Sequence, residues 1–174
     1  IGQEKKESAQ QQGREIQEQI KAQLDEHHIV LIGPNSLGFL CPPDHLNCSF
    51  AGNDIDSGSL GLISQSGAML TALFTEMSSY NVGCSFAVSL GNKAGLSEND
   101  ALEFAASDPN TKTIGMYVES FANLPRFFEL CSEVSKKKPI IVLKGGRTKS
   151  GQSASVSHTA ALATNDVLLR AAAD

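Results

Sequence analysis

Between residues 58 and 144 the sequence alternates short apolar runs with longer amphipathic segments, and this alternation limits the possible folds more than any other feature. The apolar runs have the length of buried strands, and the longer segments carry apolar residues at helical spacing. The predicted strands are 60–64, 84–90, 112–118 and 139–144, and the predicted helices are 68–79, 98–106 and 123–135. Strands that alternate with helices indicate an α/β fold, in which a parallel sheet carries helices on both faces.

A parallel sheet of this kind also predicts where a ligand would bind. Right-handed crossovers place the carboxyl ends of the strands along one edge, and ligands bind at that edge. Polar or glycine-rich sequence follows each predicted strand: Ser64-Gln65-Ser66-Gly67, then Gly91-Asn92-Lys93, then Glu119, and finally Gly145-Gly146-Arg147 with His158 further along the chain. We therefore expect these four stretches to converge on one edge.

The stretch Ser66-Gly67-Ala68 lies where the first predicted strand is followed by a helix. Backbone N–H groups at a helix start favour an anion, and the Ser66 hydroxyl adds a further donor, so the stretch is a candidate phosphate site. A serine in this position is equally compatible with an ordinary N-cap that binds no ligand.

Glu119 and His158 form the second candidate pair. A carboxylate at the end of an apolar strand is poorly placed for solvation, and it could cap a helix or pair with Lys144 or Arg147. In the functional interpretation, Glu119 accepts the proton of one imidazole nitrogen of His158, which leaves the other nitrogen free to attack phosphorus. Without a partner, His158 would be an ordinary loop histidine bonded to its neighbours.

The sequence before residue 58 is less regular. Residues 3–26 predict a helix with one apolar stripe, formed by Ile16, Ile20 and Leu24. Residues 29–32 predict a short buried strand, and residues 41–57, which contain Pro42, Pro43, Gly52 and Asn53 and show no clear period, predict a linker between two domains.

Composition excludes several classes of function. The net charge is -5 and long basic runs are absent, so we expect no nucleic-acid partner. Apolar runs fall far short of the roughly 18 residues of a membrane span, so we expect no membrane partner. The four cysteines form no C-x-x-C pair, the histidines have no zinc-ligand spacing, and no metal site is predicted. Structural thiols indicate a reducing compartment and favour a cytoplasmic location, with the mitochondrial matrix as the alternative. Because the chain begins with Ile1 inside a predicted helix, we expect a fragment of a longer protein.

The ordered set of motifs resembles the acyl-CoA synthetases that form a nucleoside triphosphate from a diphosphate. This family includes ADP-forming acetate–CoA ligase and is related to the α subunit of succinyl-CoA synthetase. The matching segments are 33–38, 61–68, 89–94, 99–100, 117–119, 138–147, Ser157-His158-Thr159 and Ala161-Leu162-Ala163. They occur in family order over nearly the whole chain, and the resemblance rests on the set rather than on any single motif.

The resemblance implies a domain organisation and a set of site residues. Residues 1–40 are similar to the end of a Rossmann-like CoA-binding domain, 41–57 is the linker, and 58–174 is similar to most of a flavodoxin-like domain. By resemblance, His158 is the phosphorylated histidine and Glu119 holds it. The remaining residues implied are Ser66, Gly67 and Ala68 for phosphate, and Asn35, Ser36, Asn92 and Lys93 on the CoA or substrate side.

The resemblance also implies an activity. A ligase of this family interconverts acyl-CoA, phosphate and NDP with carboxylic acid, CoA and NTP through a phosphohistidine. The cofactors implied are CoA and ATP or ADP with Mg, and the partners are acyl-CoA, phosphate and an ATP-grasp domain or β subunit, in an oligomeric full-length protein. The early glycine-rich turn of the CoA-binding domain is missing, so we expect this chain to be inactive alone. The alternatives are a decayed CoA-ester-sensing module of a protein acetyltransferase and a flavodoxin-like interface without chemistry.

Overall fold

The computed structural model describes residues 2–52 and 55–146. The chain divides into two units, residues 1–31 and 32–174. In the first unit, helix α1 spans Gly2–Glu26, which confirms the predicted helix. The predicted strand at 29–32 is wrong: Ile29 and Val30 are largely exposed, with 57% and 71% of their surface accessible. A strand needs a hydrogen-bonded neighbour, and within the described ranges no strand pairs with these residues.

The second unit contains a mixed sheet, which has six strands within the described residues. The strands are β1 (Gly38–Cys41), β2 (Leu46–Ser49), β3 (Ser57–Ser64), β4 (Cys84–Ser89), β5 (Thr113–Val118) and β6 (Ile140–Lys144). The helices are α2 (Gly67–Ser79), α3 (Glu98–Ser107) and α4 (Leu124–Val134), with a short 3₁₀ helix at Pro42–Asp44. The predicted strands and helices after residue 58 are therefore confirmed, with small shifts at their ends.

The strand order is β2-β1-β4-β3-β5-β6, and β3 to β6 are mutually parallel. In chain order these four strands lie 2-1-3-4, which is the flavodoxin-like arrangement. The register places Leu62 of β3 beside Ala87 of β4 and Gly115 of β5. The carboxyl ends of β3 to β6 consequently share one edge, as expected.

Helices cover both faces of the sheet because successive strand residues point to opposite sides. On one face, Leu62 packs in a cluster with Leu70 and Phe74 of α2. On the other face, Ile63 packs in a cluster that contains Leu102 of α3 and Phe127 of α4. The two apolar clusters fix the sheet and helices as one body.

Residues 38–49 differ most from the expectation. The first part of the predicted linker at 41–57 belongs to a hairpin that begins at Gly38, in which Phe39 of β1 pairs with Cys48 of β2 and also with Val88 of β4. The strands are only four residues long and flank a proline pair, so the period-2 pattern is too short to recognise in the sequence. Because β1 is antiparallel to β4, the chain before Gly38 reaches the edge where the parallel strands end.

Candidate functional site

The turn between β3 and α2 is shaped by serine side chains. The Ser64 hydroxyl donates to the Ser66 carbonyl oxygen over 2.7 Å and accepts from the Ser66 N–H over 3.2 Å. Ser66 is the N-cap of α2, and its Oγ accepts from the Met69 N–H over 3.3 Å. The N–H groups of Gly67 and Ala68 belong to the first turn, where a helix supplies no acceptor for them.

The start of α2 also has the charge that an anion requires. Its first turn contains no acidic residue, so the positive end of the helix dipole is not neutralised by its own side chains. Ser66 and Gly67 are partly exposed and Ala68 is exposed, so an anion can approach. The three residues predicted from the sequence thus lie together at an accessible helix start without acidic side chains.

Glu119 follows β5 directly and lies beside the place where the chain leaves β6. The Tyr117 hydroxyl donates to Glu119 Oε1 over 3.3 Å. A Cβ added at Gly145 would lie 3.3 Å from Glu119 Cγ and 2.5 Å from the Tyr117 hydroxyl oxygen, so only glycine fits there without displacing the pair. Burial, and then the charge of Glu119, raise the pKa of Tyr117, which keeps the phenol a proton donor.

The side chain of Gln65 connects the turn before α2 to Glu119, and the sequence did not single it out. Gln65 is 3% exposed. Its Oε1 accepts from the backbone N–H groups of Glu119 and Ser120 over 2.9 and 3.1 Å, and its Nε2 donates to Ser120 Oγ over 3.1 Å. The sequence offers one sign of this role, an amide side chain directly after a predicted strand. It does not show which backbone groups that amide would bond to.

The predicted CoA-side residues lie on two loops that pack together at the same edge. The N–H of Asn92 donates to the Pro34 carbonyl over 2.9 Å. Gly91 has a φ of 57°, and a Cβ there would collide with the carbonyl oxygens of Pro34 and Asn35, so glycine is required by both the conformation and the contact. The structure thus brings together the loops of Asn35, Ser36, Asn92 and Lys93.

These four side chains differ in what they can offer a ligand. Ser36 Oγ donates to the Ser89 carbonyl and accepts from the Gly38 N–H, so it holds the loop. Asn35 is exposed. Asn92 Oδ1 is buried and, within the described residues, has no hydrogen-bond partner. A buried acceptor without a donor is an open position for a ligand group that carries an N–H or O–H.

Lys93 is held inside the protein. Its Nζ donates to Glu98 Oε2 over 2.8 Å and to the Ser120 carbonyl over 2.6 Å. The two charged side chains are 6% and 0% exposed. Glu98 Oε1 in turn accepts from the Ala122 N–H over 2.7 Å. Lys93 therefore tethers the loop after β4 to the turn after β5.

The part of the chain that contains the sheet strands β3 to β6, Gln65, Lys93 and Glu119 matches a known family. A sequence profile described as succinyl-CoA ligase like flavodoxin domain matches residues 57–174, which is more than half of the chain. The chain belongs to this family.

Relatives of this succinyl-CoA ligase-like flavodoxin domain occur in larger proteins. The chain is 41% identical over 162 residues to the α subunit of acetate–CoA ligase (ADP-forming) I of Pyrococcus furiosus, covering 93% of the chain and 35% of the relative. It is 42% identical over 158 residues to acetate–CoA ligase (ADP-forming) of Methanocaldococcus jannaschii, covering 91% of the chain and 22% of the relative. The chain thus spans between about a fifth and a third of the length of these relatives.

A solved structure resembles the domain closely. The acetyl-coenzyme A synthetase 1 of Ca. Korarchaeum cryptofilum, described as dinucleotide forming and in complex with phosphate and ADP, superposes with a TM-score of 0.84 at 39% identity. The superposition covers 91% of this chain and 34% of that one. It supports the flavodoxin-like fold.

His158 and Arg147 lie outside the described residues of the flavodoxin domain. The cysteines are free thiols. Burial raises the pKa of Cys84 to about 12 and that of Cys131 to about 11, so both remain protonated and inert near neutral pH. Over the described ranges, no group of three or more His, Cys, Asp or Glu side chains could hold a metal ion, and no helix is long and apolar enough to cross a membrane.

Proposed function

We propose that the chain is part of an NDP-forming acyl-CoA synthetase. The enzyme interconverts acyl-CoA, NDP and phosphate with carboxylic acid, CoA and NTP through a phosphohistidine at His158. The observation that carries this proposal is the direct link between the start of α2 and Glu119 through Gln65, at the point where the chain leaves β6. The relatives named as ADP-forming ligases support the same reaction class and not the acetyltransferase-sensing alternative.

In the proposed mechanism, Glu119 prepares His158 for phosphoryl transfer. The carboxylate accepts a hydrogen bond from one imidazole N–H, which fixes the tautomer and the ring orientation. The other, unprotonated nitrogen attacks the phosphorus of an acyl phosphate. An N–P bond forms, the P–O bond to the acyl group breaks, and the carboxylate of the product acid leaves with the bonding electrons. Transfer to NDP reverses this bond exchange at the histidine and regenerates the free imidazole.

The start of α2 stabilises the phosphoryl group during this exchange. The N–H groups of Gly67 and Ala68 and the hydroxyl of Ser66 are fixed donors, and no acidic side chain in the first turn opposes them. Donors already oriented towards developing charge need no reorganisation in the transition state, and removal of one such donor typically costs about 3 kcal/mol.

This chain supplies only part of the binding sites for CoA and for the nucleotide. Two residues would contact CoA: the exposed Asn35, and Asn92, whose Oδ1 has no hydrogen-bond partner among the described residues. CoA supplies the thiol that carries the acyl group. We assign the nucleotide and its Mg to an ATP-grasp domain or β subunit, which His158 would reach, in an oligomeric and cytoplasmic enzyme.

Replacement of Glu119 tests the proposed mechanism in the full-length enzyme. The Glu119→Gln variant keeps the shape of the side chain but binds the imidazole N–H less strongly, so we expect the rate of His158 phosphorylation to fall by about 100-fold. Rapid-quench measurements with acetyl phosphate labelled in its phosphoryl group would give the rate of this step, in which Glu119 holds His158. The Glu133→Gln variant removes an equal charge from an exposed position of α4 and should phosphorylate normally. An unchanged rate in Glu119→Gln would remove Glu119 from the mechanism.

A further inference from the structure

The turn that follows β5 is held by side chains from other elements. Three of its backbone N–H groups and one carbonyl, in residues 119–122, bond to buried side chains. Gln65 binds the first two N–H groups, and the Lys93–Glu98 pair binds the Ser120 carbonyl and the Ala122 N–H. Within the part of the chain that the structure describes, no strand partner holds these groups, so the side chains determine where the turn lies.

Among the side chains that hold this turn, Gln65 is the one that bonds directly to the backbone of Glu119. Its single carbonyl oxygen receives both N–H groups, and its amide nitrogen donates to Ser120 Oγ. An amide nitrogen can only donate, so one orientation of the side chain satisfies all three bonds. The backbone N–H of Gln65 also donates to the Tyr117 carbonyl over 2.8 Å, which anchors the residue to β5.

We propose that Gln65 is a positioning residue that fixes Glu119 for its contact with His158. This inference rests on the proposed function. Without the Gln65 carbonyl, the part-buried N–H of Glu119 and the buried N–H of Ser120 would have to find other acceptors, and the backbone at Glu119 would shift. A displacement of about 1 Å in an active site can cost about 100-fold in rate, so a loss of this acceptor should slow phosphorylation although Gln65 touches no substrate.

A double-mutant cycle separates positioning from a general loss of stability. In the full-length enzyme, the rate of His158 phosphorylation is measured for the parent, Gln65→Met, Glu119→Gln and the double variant. The effects of two substitutions on the activation free energy do not add when one residue acts through the other, whereas the effects of unrelated defects do add. We expect Gln65→Met to slow the parent by about 10- to 100-fold and the Glu119→Gln background by less than about threefold.

The matched control removes a buried hydrogen bond at the opposite end of β4. Ser85 Oγ and Thr111 Oγ1 lie 2.7 Å apart, and both residues are buried. Ser85→Ala should lower the unfolding temperature and leave the phosphorylation rate unchanged. If Gln65→Met does not fold, the cycle is repeated with Ser120→Ala, which removes only the hydroxyl that orients the Gln65 amide and should give a coupling of about threefold.

Equal slowing by Gln65→Met in both backgrounds, or no slowing in the parent, would overturn the positioning role while the dependence on Glu119 and His158 still stood. Phosphate label that was still found on both the Glu119→Gln variant and the His158→Ala variant would overturn the proposed function itself, and the positioning role with it. The two failures therefore give different patterns across the same set of variants.

Discussion

At the scale of single residues, the side chain of Lys93 has contacts that its motif does not reveal. By resemblance, the Gly91-Asn92-Lys93 loop is expected on the ligand side, and it lies at the edge where the parallel strands end. The Lys93 amine nevertheless bonds to Glu98 and to the Ser120 carbonyl, and it is almost fully buried. Whether a lysine at a strand end points inwards depends on a carboxylate from the next helix, which sequence spacing does not reveal.

Removal of the Lys93 amine should destabilise the fold strongly. The Lys93→Met variant leaves the charge of Glu98 buried without its cation, and such losses cost about 3–5 kcal/mol. We expect the midpoint of thermal unfolding, measured by calorimetry, to fall by about 10 °C. Addition of Glu98→Gln should restore part of this loss because the unpaired charge is removed.

Arg126 provides the matched control for the buried pair. Its guanidinium bonds to Glu103 over 2.7 Å, but the two side chains are 44% and 50% exposed. Exposed ion pairs contribute little to the stability of the fold, so Arg126→Met should leave the midpoint of thermal unfolding nearly unchanged. If Lys93→Met were as mild as Arg126→Met, the Lys93 amine would be free for a ligand, contrary to the structure.

At the scale of elements, two helices begin in similar ways but differ in what their first turns can bind. Ser66 caps α2 and Ser97 caps α3, and each hydroxyl accepts from a backbone N–H of its helix. The first turn of α3 contains Glu98 and Asp100, and Asp100 completes a capping box with Ser97. The first turn of α2 has no acidic residue, so of these two helices α2 is the one whose positive end is not neutralised by its own side chains.

The two caps can be compared directly by mutation. Ser66→Ala and Ser97→Ala should each lower the free energy of unfolding by about 1 kcal/mol because each removes an N-cap acceptor. Only Ser66→Ala removes a donor from the proposed phosphate site, so we expect it alone to raise the KM for phosphate in the proposed full-length ligase, by about tenfold. Equal KM values in the two variants would show that Ser66 serves only as a cap.

The elements themselves were largely predictable from the sequence. Each predicted strand and helix after residue 58 is present because its apolar residues have the period of the element they form. The hairpin at 38–49 was not predictable, since its pairing with β4 is a tertiary contact between strands too short to show a period. The predicted strand at 29–32 failed for the related reason that an apolar run does not reveal whether a pairing partner exists.

At the scale of the whole molecule, the topology of the sheet brings distant parts of the sequence to one edge. Parallel β3, β4 and β5 deliver Ser66, Asn92 and Glu119 there, and antiparallel β1 directs the loop before Gly38 to the same place. This convergence follows from right-handed crossovers and could be predicted. The bonds that set the final positions, above all those of Gln65, depend on side-chain orientation, and the sequence could not supply them.

The central claim is that the full-length enzyme carries its phosphoryl group on His158, and labelling tests this most directly. The protein is incubated with radiolabelled Mg-ATP, or Mg-GTP, and phosphate that is acid-labile and base-stable is measured on the parent and on His158→Ala. We predict label on the parent and none on the variant. Absence of label from a folded parent with both nucleotides, or label that survives His158→Ala, would contradict the account.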